Sequence, residues 1–326
     1  MKFYLTLFIL SFITTYIVRE IAVRLNIYDV PIGRSSHTTP TPRGGGIAIV
    51  ICWYVGILYE HIFWSSMPTY LFLAFMSGLL IVAIGLADDI WRVNPKIKFI
   101  FQFIAAALAL YFLGGLQKAD LGFYIFNNKY ILSALALIGI IWSINLFNFL
   151  DGIDGYLGSE VVFISISISL LCSNSMVLML GAVTLGFLIW NWQKAKIFMG
   201  DVGSTLLGFN IAVFAIYYQN QDKTSILIWI ILSSLFWFDA TLTLLRRYRN
   251  KEKLSVAHKK HAYQRITQAG FSHQKTVLYS IAINVLIFVF AWLSMMYMIY
   301  AMGFLIIVII ILYMITRKID AIIPFK

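Results

Sequence analysis

Four polar side chains recur at every third position of "NLFNFLDGIDG", from Asn145 to Gly155: Asn145, Asn148, Asp151 and Asp154. They close an apolar run that begins near Tyr130. Three residues of α-helix turn through about 300°, so each step drifts by about 60°. Asn148 and Asp151 can share a face, but Asn145 and Asp154 then lie about half a circle apart. All four converge only if the helix opens near its end, which Gly152 and Gly155 permit. Unwound backbone at membrane depth needs a wet or protein-lined cavity. Ordinary capping would need one such residue, not four.

Three more stretches carry acid–base or anion-binding chemistry. In "GLADDIWRVNPKIKFIFQ" (Gly85–Gln102), Asp88 and Asp89 are adjacent, and Lys96 and Lys98 lead the next apolar run. Two touching carboxylates repel unless a cation or a shared proton relieves them; solvated charge with a lysine partner is the plainer reading. In "NWQKAKIFMGDVGSTLLG" (Asn191–Gly208), Asp201 precedes an apolar run and is flanked by Gly200 and Gly203. It suits an N-cap, and equally a carboxylate beside free N–H groups that accept phosphate. In "GRSSHTTPTPRGGG" (Gly33–Gly46), Ser36, His37, Arg43 and three glycines share one short loop. Arg43 can pair with phosphate there, but the Lys-Ser/Thr of a P-loop is missing.

A fifth stretch, "RRYRNKEKLSVAHKKHAYQR" (Arg246–Arg265), alternates bases with Leu254, Val256 and Tyr263, as an interfacial segment does. His258 and His261 are three apart and lack a further Cys or His for zinc. They and Arg265 suit donation toward phosphate or sugar, with a lipid-facing basic loop as the rival.

The elements that must position these residues are membrane helices. Of 326 residues, 61% are hydrophobic and 12% charged, against roughly 25% charged in a soluble domain. Apolar runs of spanning length lie near 3–24, 45–63, 69–87, 97–114, 130–148, 157–173, 176–192, 203–219, 225–245, 276–296 and 298–316. The sixth and seventh are short and poorly separated, so ten or eleven spans are expected in a single polytopic domain over 1–326. Cys52 and Cys172 lie in apolar runs and read as small hydrophobes. All but four of the 25 Lys and Arg fall on one side of this arrangement, the exceptions being Lys2, Lys118, Lys129 and Lys223. By the positive-inside rule the N-terminus is external and the C-terminus cytoplasmic. The loops near 25–44, 88–96, 149–156, 193–202 and 246–275 are then cytoplasmic. The formal charge of +11 faces anionic lipids and metabolites, and nucleic acid is not an expected partner.

Carboxylates from several helix ends at one depth mark a site. With phosphate present they suit Mg²⁺. An ion-coupled transporter is the non-enzymatic rival, but such sites lie near the midplane and repeated halves are usual. Another lipid phosphotransferase is a second rival. "DGIDGYLGSEVVF" starts like a CDP-alcohol phosphotransferase motif, but no Ala-Arg or later aspartates follow.

Taken in order, the motifs from "RSSHTTPTPRGGG" to "AHKKHAYQR" resemble the polyprenyl-phosphate N-acetylhexosamine-1-phosphate transferases, most of all the bacterial O-antigen initiating branch. The resemblance implies an all-α, polytopic bundle of 10–11 transmembrane helices with a cytoplasmic active-site cleft in the bacterial inner membrane. It implies transfer of a sugar 1-phosphate from a UDP-N-acetylhexosamine to undecaprenyl phosphate, with release of UMP. Mg²⁺, or Mn²⁺ in its place, would sit on Asp201 and Asn148. Asp88 and Asp89 match the paired aspartates with a general-base or lipid-phosphate role. Lys98 matches a phosphate contact, and Asn191 and Phe198 match residues around the uracil. Asp151 and Asp154 line the same cleft, and His258 and His261 face the donor. The adjacent histidines of the cell-wall branch are absent, which favours a plain amino sugar. A homodimer is compatible with all of this.

Overall fold

The structure is a computed structural model and describes residues 2–31, 39–64, 67–91, 93–172, 176–254, 256 and 258–325. Its α-helices run in the order α1 (Lys2–Arg24), α2 (Gly46–Tyr59), α3 (Thr69–Met76), α4 (Leu79–Trp91), α5 (Pro95–Leu113), α6 (Lys129–Phe149), α7 (Tyr156–Cys172), α8 (Leu178–Asn191), α9 (Asp201–Asn220), α10 (Ile226–Leu232), α11 (Ser234–Arg249), α12 (Ala262–Gln268), α13 (His273–Met296) and α14 (Ala301–Ile322). Two antiparallel strand pairs accompany them, β1 (Tyr28–Asp29) with β2 (Thr41–Pro42) and β3 (Ala119–Asp120) with β4 (Ile125–Phe126).

Eight helical stretches among the described residues are long and apolar enough to cross a membrane. The number is nine if α10 and α11, bent by 73°, form one span. The helices α7 and α8 are apolar but shorter. Every stretch read as a span from the sequence is therefore helical, and the two that it separates poorly are these two short ones. The protein is a multi-pass membrane protein. Its outward faces agree: Ile9, Ile13 and Ile17 of α1 are exposed apolar side chains, which suit lipid because every backbone group behind them is bonded within the helix.

Local chemistry sets the helix ends. Asn94 accepts from the Lys96 N–H (2.9 Å) and Pro95 opens α5, an N-cap followed by a residue already fixed for helix. At the break between α10 and α11 the Ser233 hydroxyl donates to the Trp229 carbonyl (2.7 Å), a back-bond that favours bending.

The helix α9 is the central pillar. Every residue from Val202 to Gln219 except Ala212 is buried, the polar Ser204, Thr205, Asn210 and Gln219 included, so the helix is enclosed by its neighbours. It packs on α2, α4 and α6. Glycine allows the closest of these approaches. A side chain on Gly46 would meet the Gly203 nitrogen at 2.5 Å, and one on Gly203 would meet the Gly46 Cα at 2.7 Å. The start of α9 is thereby pressed against the start of α2, beside Arg43.

Candidate active site

Gly200 holds a positive φ of 82° before α9 and lies against α4: a Cβ there would meet the Asp89 carboxylate at 2.8 Å. Asp89 accepts from the backbone N–H groups of Asp201 (3.1 Å, at Oδ1) and Val202 (3.4 Å, at Oδ2). A carboxylate of another helix thus satisfies N–H groups that a helix start leaves without partners. The Asp201 carboxylate is consequently not the cap of its own helix and points elsewhere. Arg43 Nη2 lies 3.1 Å from Asp201 Oδ1 and 2.7 Å from Asp89 Oδ1. Lys98 Nζ lies 2.8 Å from Asp88 Oδ2 and 3.5 Å from Asp201 Oδ2. Asp88 also accepts from the Val93 N–H (2.8 Å). The Asn148 side chain and the Asp88 carboxylate both lie near the Asp201 carboxylate.

Five charged groups from four separate elements therefore meet at one point. Backbone pairing fixes the loop that delivers Arg43. The Phe198 N–H donates to the Pro42 carbonyl (2.8 Å), and the Gly45 N–H donates to the Phe198 carbonyl (2.9 Å). Burial disfavours the Arg43 charge, but Asp89 and Asp201 outweigh it and raise its pKa further. Asp151 lies within the field of the same groups. Burial above all, and then Asp201, push its pKa up to about 7, while Arg43 opposes.

Among the described residues no three carboxylate, imidazole or thiol groups form a ready cage for a metal ion. Arg43 and Lys98 contact the carboxylates instead. The donor set nevertheless fits a hard divalent cation. Asp201 and Asn148 offer oxygen, and Mg²⁺ is commonly held by one or two carboxylates with water and phosphate completing its shell. Crowded carboxylates with a raised pKa at Asp151 are the setting in which an added cation is most favourable.

The turn between α6 and α7 opens as the three-residue spacing requires, and Gly155 adopts a φ of 74°. Its four polar residues do not all converge. Asn145 exchanges hydrogen bonds with Gln102 of α5 (2.8 and 3.4 Å) and donates to Ile141 (2.8 Å). Asn148 and Asp151 are the two that lie near the charged cluster. Asp154 accepts from the Ala195 N–H (3.1 Å), and its own N–H donates to His273 Nδ1 (3.3 Å). Asn191 is buried, accepts from the Gly155 N–H (3.0 Å) and donates to the Ile197 carbonyl (3.0 Å). Its amide ties the α6–α7 turn to the loop that leads into α9. Asn191→Ala leaves two buried backbone groups without partners, at about 1–3 kcal/mol each. A lower melting temperature in detergent is expected, measured against Asn250→Ala on the exposed end of α11.

The basic loop is internally braced. Arg247 contacts Glu252 (3.1 Å) and donates to the Lys253 and Val256 carbonyls (2.6 and 3.0 Å). Lys260 reaches Glu252 at 2.7 Å. His258 is half-buried and accepts from the Lys260 N–H (3.2 Å). His261 is only 3% exposed, with Nδ1 3.9 Å from Asp239 Oδ1, so it lies behind His258 rather than at a surface. Arg265 does not join the cluster. Its guanidinium donates instead to Asp320 of α14 (2.6 Å) and to the Ile323 carbonyl (2.9 Å). Ser36 and His37 lie outside the described residues.

Burial lowers the His258 pKa from 6.5 to about 4, with His261 and Arg247 acting the same way. Between these values the unfolded chain binds a proton that the folded one does not. The stability is therefore present above the unfolded value and is lost as pH falls through the window. Glu252, held below its usual range chiefly by Lys260, acts in the same direction. His258→Asn is expected to show a smaller fall in melting temperature than the wild type between about pH 7 and about pH 4.5.

Sequence reasoning did not find the capping role of Asp89, the Asn191 staple or the partners of Asp239. Asp239 accepts twice from the Ala262 N–H (2.8 and 3.0 Å) and so fixes the start of α12. Its signal was available, since a carboxylate inside an apolar run demands a partner.

A membrane bundle that gathers carboxylates and cations at one plane of helix ends defines a class of protein that handles a charged group at the bilayer surface. Comparison with known proteins is more specific. Residues 71–219 match glycosyl transferase family 4. The chain is similar to a probable undecaprenyl-phosphate N-acetylglucosaminyl 1-phosphate transferase of Bacillus subtilis, 32% identical over 317 residues, spanning 88% of this chain and 86% of the relative. It is similar to the decaprenyl-phosphate N-acetylglucosaminephosphotransferase of Mycobacterium leprae, 30% identical, with 84% and 78% covered. It is also similar to the undecaprenyl-phosphate alpha-N-acetylglucosaminyl 1-phosphate transferase of Escherichia coli, 30% identical, with 85% and 79% covered. The chain belongs to glycosyl transferase family 4, among the polyprenyl-phosphate N-acetylhexosamine-1-phosphate transferases.

Proposed function

We propose that this protein transfers N-acetylglucosamine 1-phosphate from UDP-N-acetylglucosamine to undecaprenyl phosphate, releasing UMP, and so begins the synthesis of a cell-surface polysaccharide. The observation that carries this reading is the meeting of Asp88, Asp89, Asp201, Arg43 and Lys98 at the helix-end plane. The relatives' names support the acceptor and the sugar. The one-sided distribution of Lys and Arg supports a cytoplasmic site with the N-terminus outside.

In the reaction an oxygen of the lipid phosphate attacks the β-phosphorus of the donor. A new P–O bond forms, the pyrophosphate P–O bond breaks, and UMP leaves with the bonding electron pair. Two anions must approach, so charge neutralisation is the main requirement. Arg43 and Lys98 supply positive charge within reach of Asp201. Asp201 and Asn148 would hold Mg²⁺, which neutralises phosphate oxygens and acts as a Lewis acid. A phosphate with a second pKa near ~6 is mostly deprotonated already, so proton removal by Asp88 or Asp89 is the smaller contribution. The donor's uracil would lie toward Phe198, whose loop Asn191 ties to the α6–α7 turn, and its sugar toward His258, with His261 behind.

The test uses radiolabelled UDP-N-acetylglucosamine, undecaprenyl phosphate and detergent-purified protein. Label is expected to enter the lipid phase with equimolar UMP release. Label that stays aqueous overturns the reading, and transfer from other UDP-sugars in preference corrects the donor.

A further inference from the structure

The side chain that joins the basic loop to the acidic turn is Tyr263. It is 2% exposed and sits on α12. Its hydroxyl donates to the carbonyl of Phe149, the last residue of α6 (3.2 Å). That carbonyl is one of the group a helix end leaves without an internal partner. The Tyr263 ring stacks on Tyr156, the first residue of α7, with centroids 4.7 Å apart and planes at 24°. Between these two contacts lies Gly152, where a Cβ would collide with the Tyr263 hydroxyl. One side chain therefore touches the turn at its start, its middle and its end.

The other side of Tyr263 belongs to the histidine loop. Its ring lies 5.8 Å from His261 at 17°, and His261 lies 4.9 Å from His258. Asp239 fixes the start of α12 through the Ala262 N–H, and Arg265 ties it to Asp320. The helix that carries Tyr263 is thus anchored independently of the turn on which it presses. Burial, then Asp239 and Asp151, hold the phenol pKa well above its usual value, so the hydroxyl remains a donor.

We infer that Tyr263 is a positioning residue: it sets the Asn148–Asp151 side of the active site and couples it to the donor-facing histidine loop. The turn has no strand or helix of its own to hold Asp151, and Tyr263 replaces that support with a hydrogen bond, a ring stack and a steric stop. The kinetic part of this inference rests on the transferase reading; the structural part does not.

Tyr263→Phe removes the hydroxyl and keeps the ring. It is expected to lower kcat about 10-fold, a loss matching one buried hydrogen bond, with the KM for the UDP-sugar changed less than about 2-fold. Hydrogen–deuterium exchange in detergent is expected to quicken over 149–156 and to stay unchanged in α9. Gly152→Ala is expected to be damaging in the wild type and less so in Tyr263→Phe, because the colliding hydroxyl is gone; the two effects are then less than additive. Unchanged exchange over 149–156 in Tyr263→Phe, or strict additivity with Gly152→Ala in both exchange and melting temperature, overturns the inference. An inactive wild type would instead count against the proposed reaction, while exchange and melting still decide the role of Tyr263.

Discussion

Asp201→Ala is expected to take transfer down to the background of membranes without the enzyme, a loss of at least about 10³-fold, or about 4 kcal/mol of transition-state stabilisation. The reason lies in how the carboxylates are engaged. Asp89 is occupied by the N–H groups of Asp201 and Val202 and by Arg43. Asp88 is occupied by Lys98 and the Val93 N–H. Asp201 makes contact with both cations, so its removal leaves Arg43 and Lys98 without their common partner. Asp89→Asn keeps an acceptor oxygen for the start of α9 and is expected to lose only about 10–100-fold, the range for a hydrogen bond to a charged group. Asp88→Asn leaves Lys98 to Asp201 alone and is expected to fall between the two. Initial rates with labelled donor rank the three variants, and melting temperatures show that each is folded. Equal and complete loss at all three positions would contradict this ranking.

Much of this site is legible in the residue string because a membrane simplifies the reading. Apolar runs near twenty residues long mark the helices, and carboxylates at their ends stand out against that background. Asp88, Asp89, Asn148 and Asp201 could thus be named together before any contact was known. The contacts themselves are less legible. That Asp89 caps α9 depends on α4 lying beside it, and nothing local to Asp89 encodes that neighbour. Asn191 resembles a ligand contact in sequence, but burial commits its amide to two backbone groups. Arg265 is read from the sequence as a contact to the donor, yet its partner Asp320 lies at the end of α14. A strongly basic loop near an anionic substrate does not say which bases meet substrate and which brace the loop. Here Arg247 and Arg265 brace it, and the half-buried His258 is the member left nearer the surface.

Stripping divalent cations with excess chelator is expected to silence transfer without unfolding the protein, and Mg²⁺ or Mn²⁺ is expected to restore it. The cluster holds three carboxylates against two cations, Arg43 and Lys98. By itself it is ill-suited to receive a pyrophosphate and a lipid phosphate together, since the surplus charge has their sign. A divalent ion held by Asp201 and Asn148 would reverse that balance. Asp201 would then hold Arg43 and Lys98 less tightly and leave them available to phosphate oxygens. An ion that bound only the folded site would stabilise the fold by mass action, by about 2.7 kcal/mol at a hundred times its dissociation constant. Millimolar Mg²⁺ is therefore expected to raise the melting temperature of the wild type in detergent by a few degrees. The shift is expected to vanish in Asp201→Asn, which preserves shape but removes the charge, and to persist in Asp154→Asn, whose carboxylate is occupied by Ala195 and lies beside His273. Full transfer in excess chelator, or an equal thermal shift in Asp201→Asn, would remove the ion from this site and leave Arg43 and Lys98 as the groups that neutralise the donor.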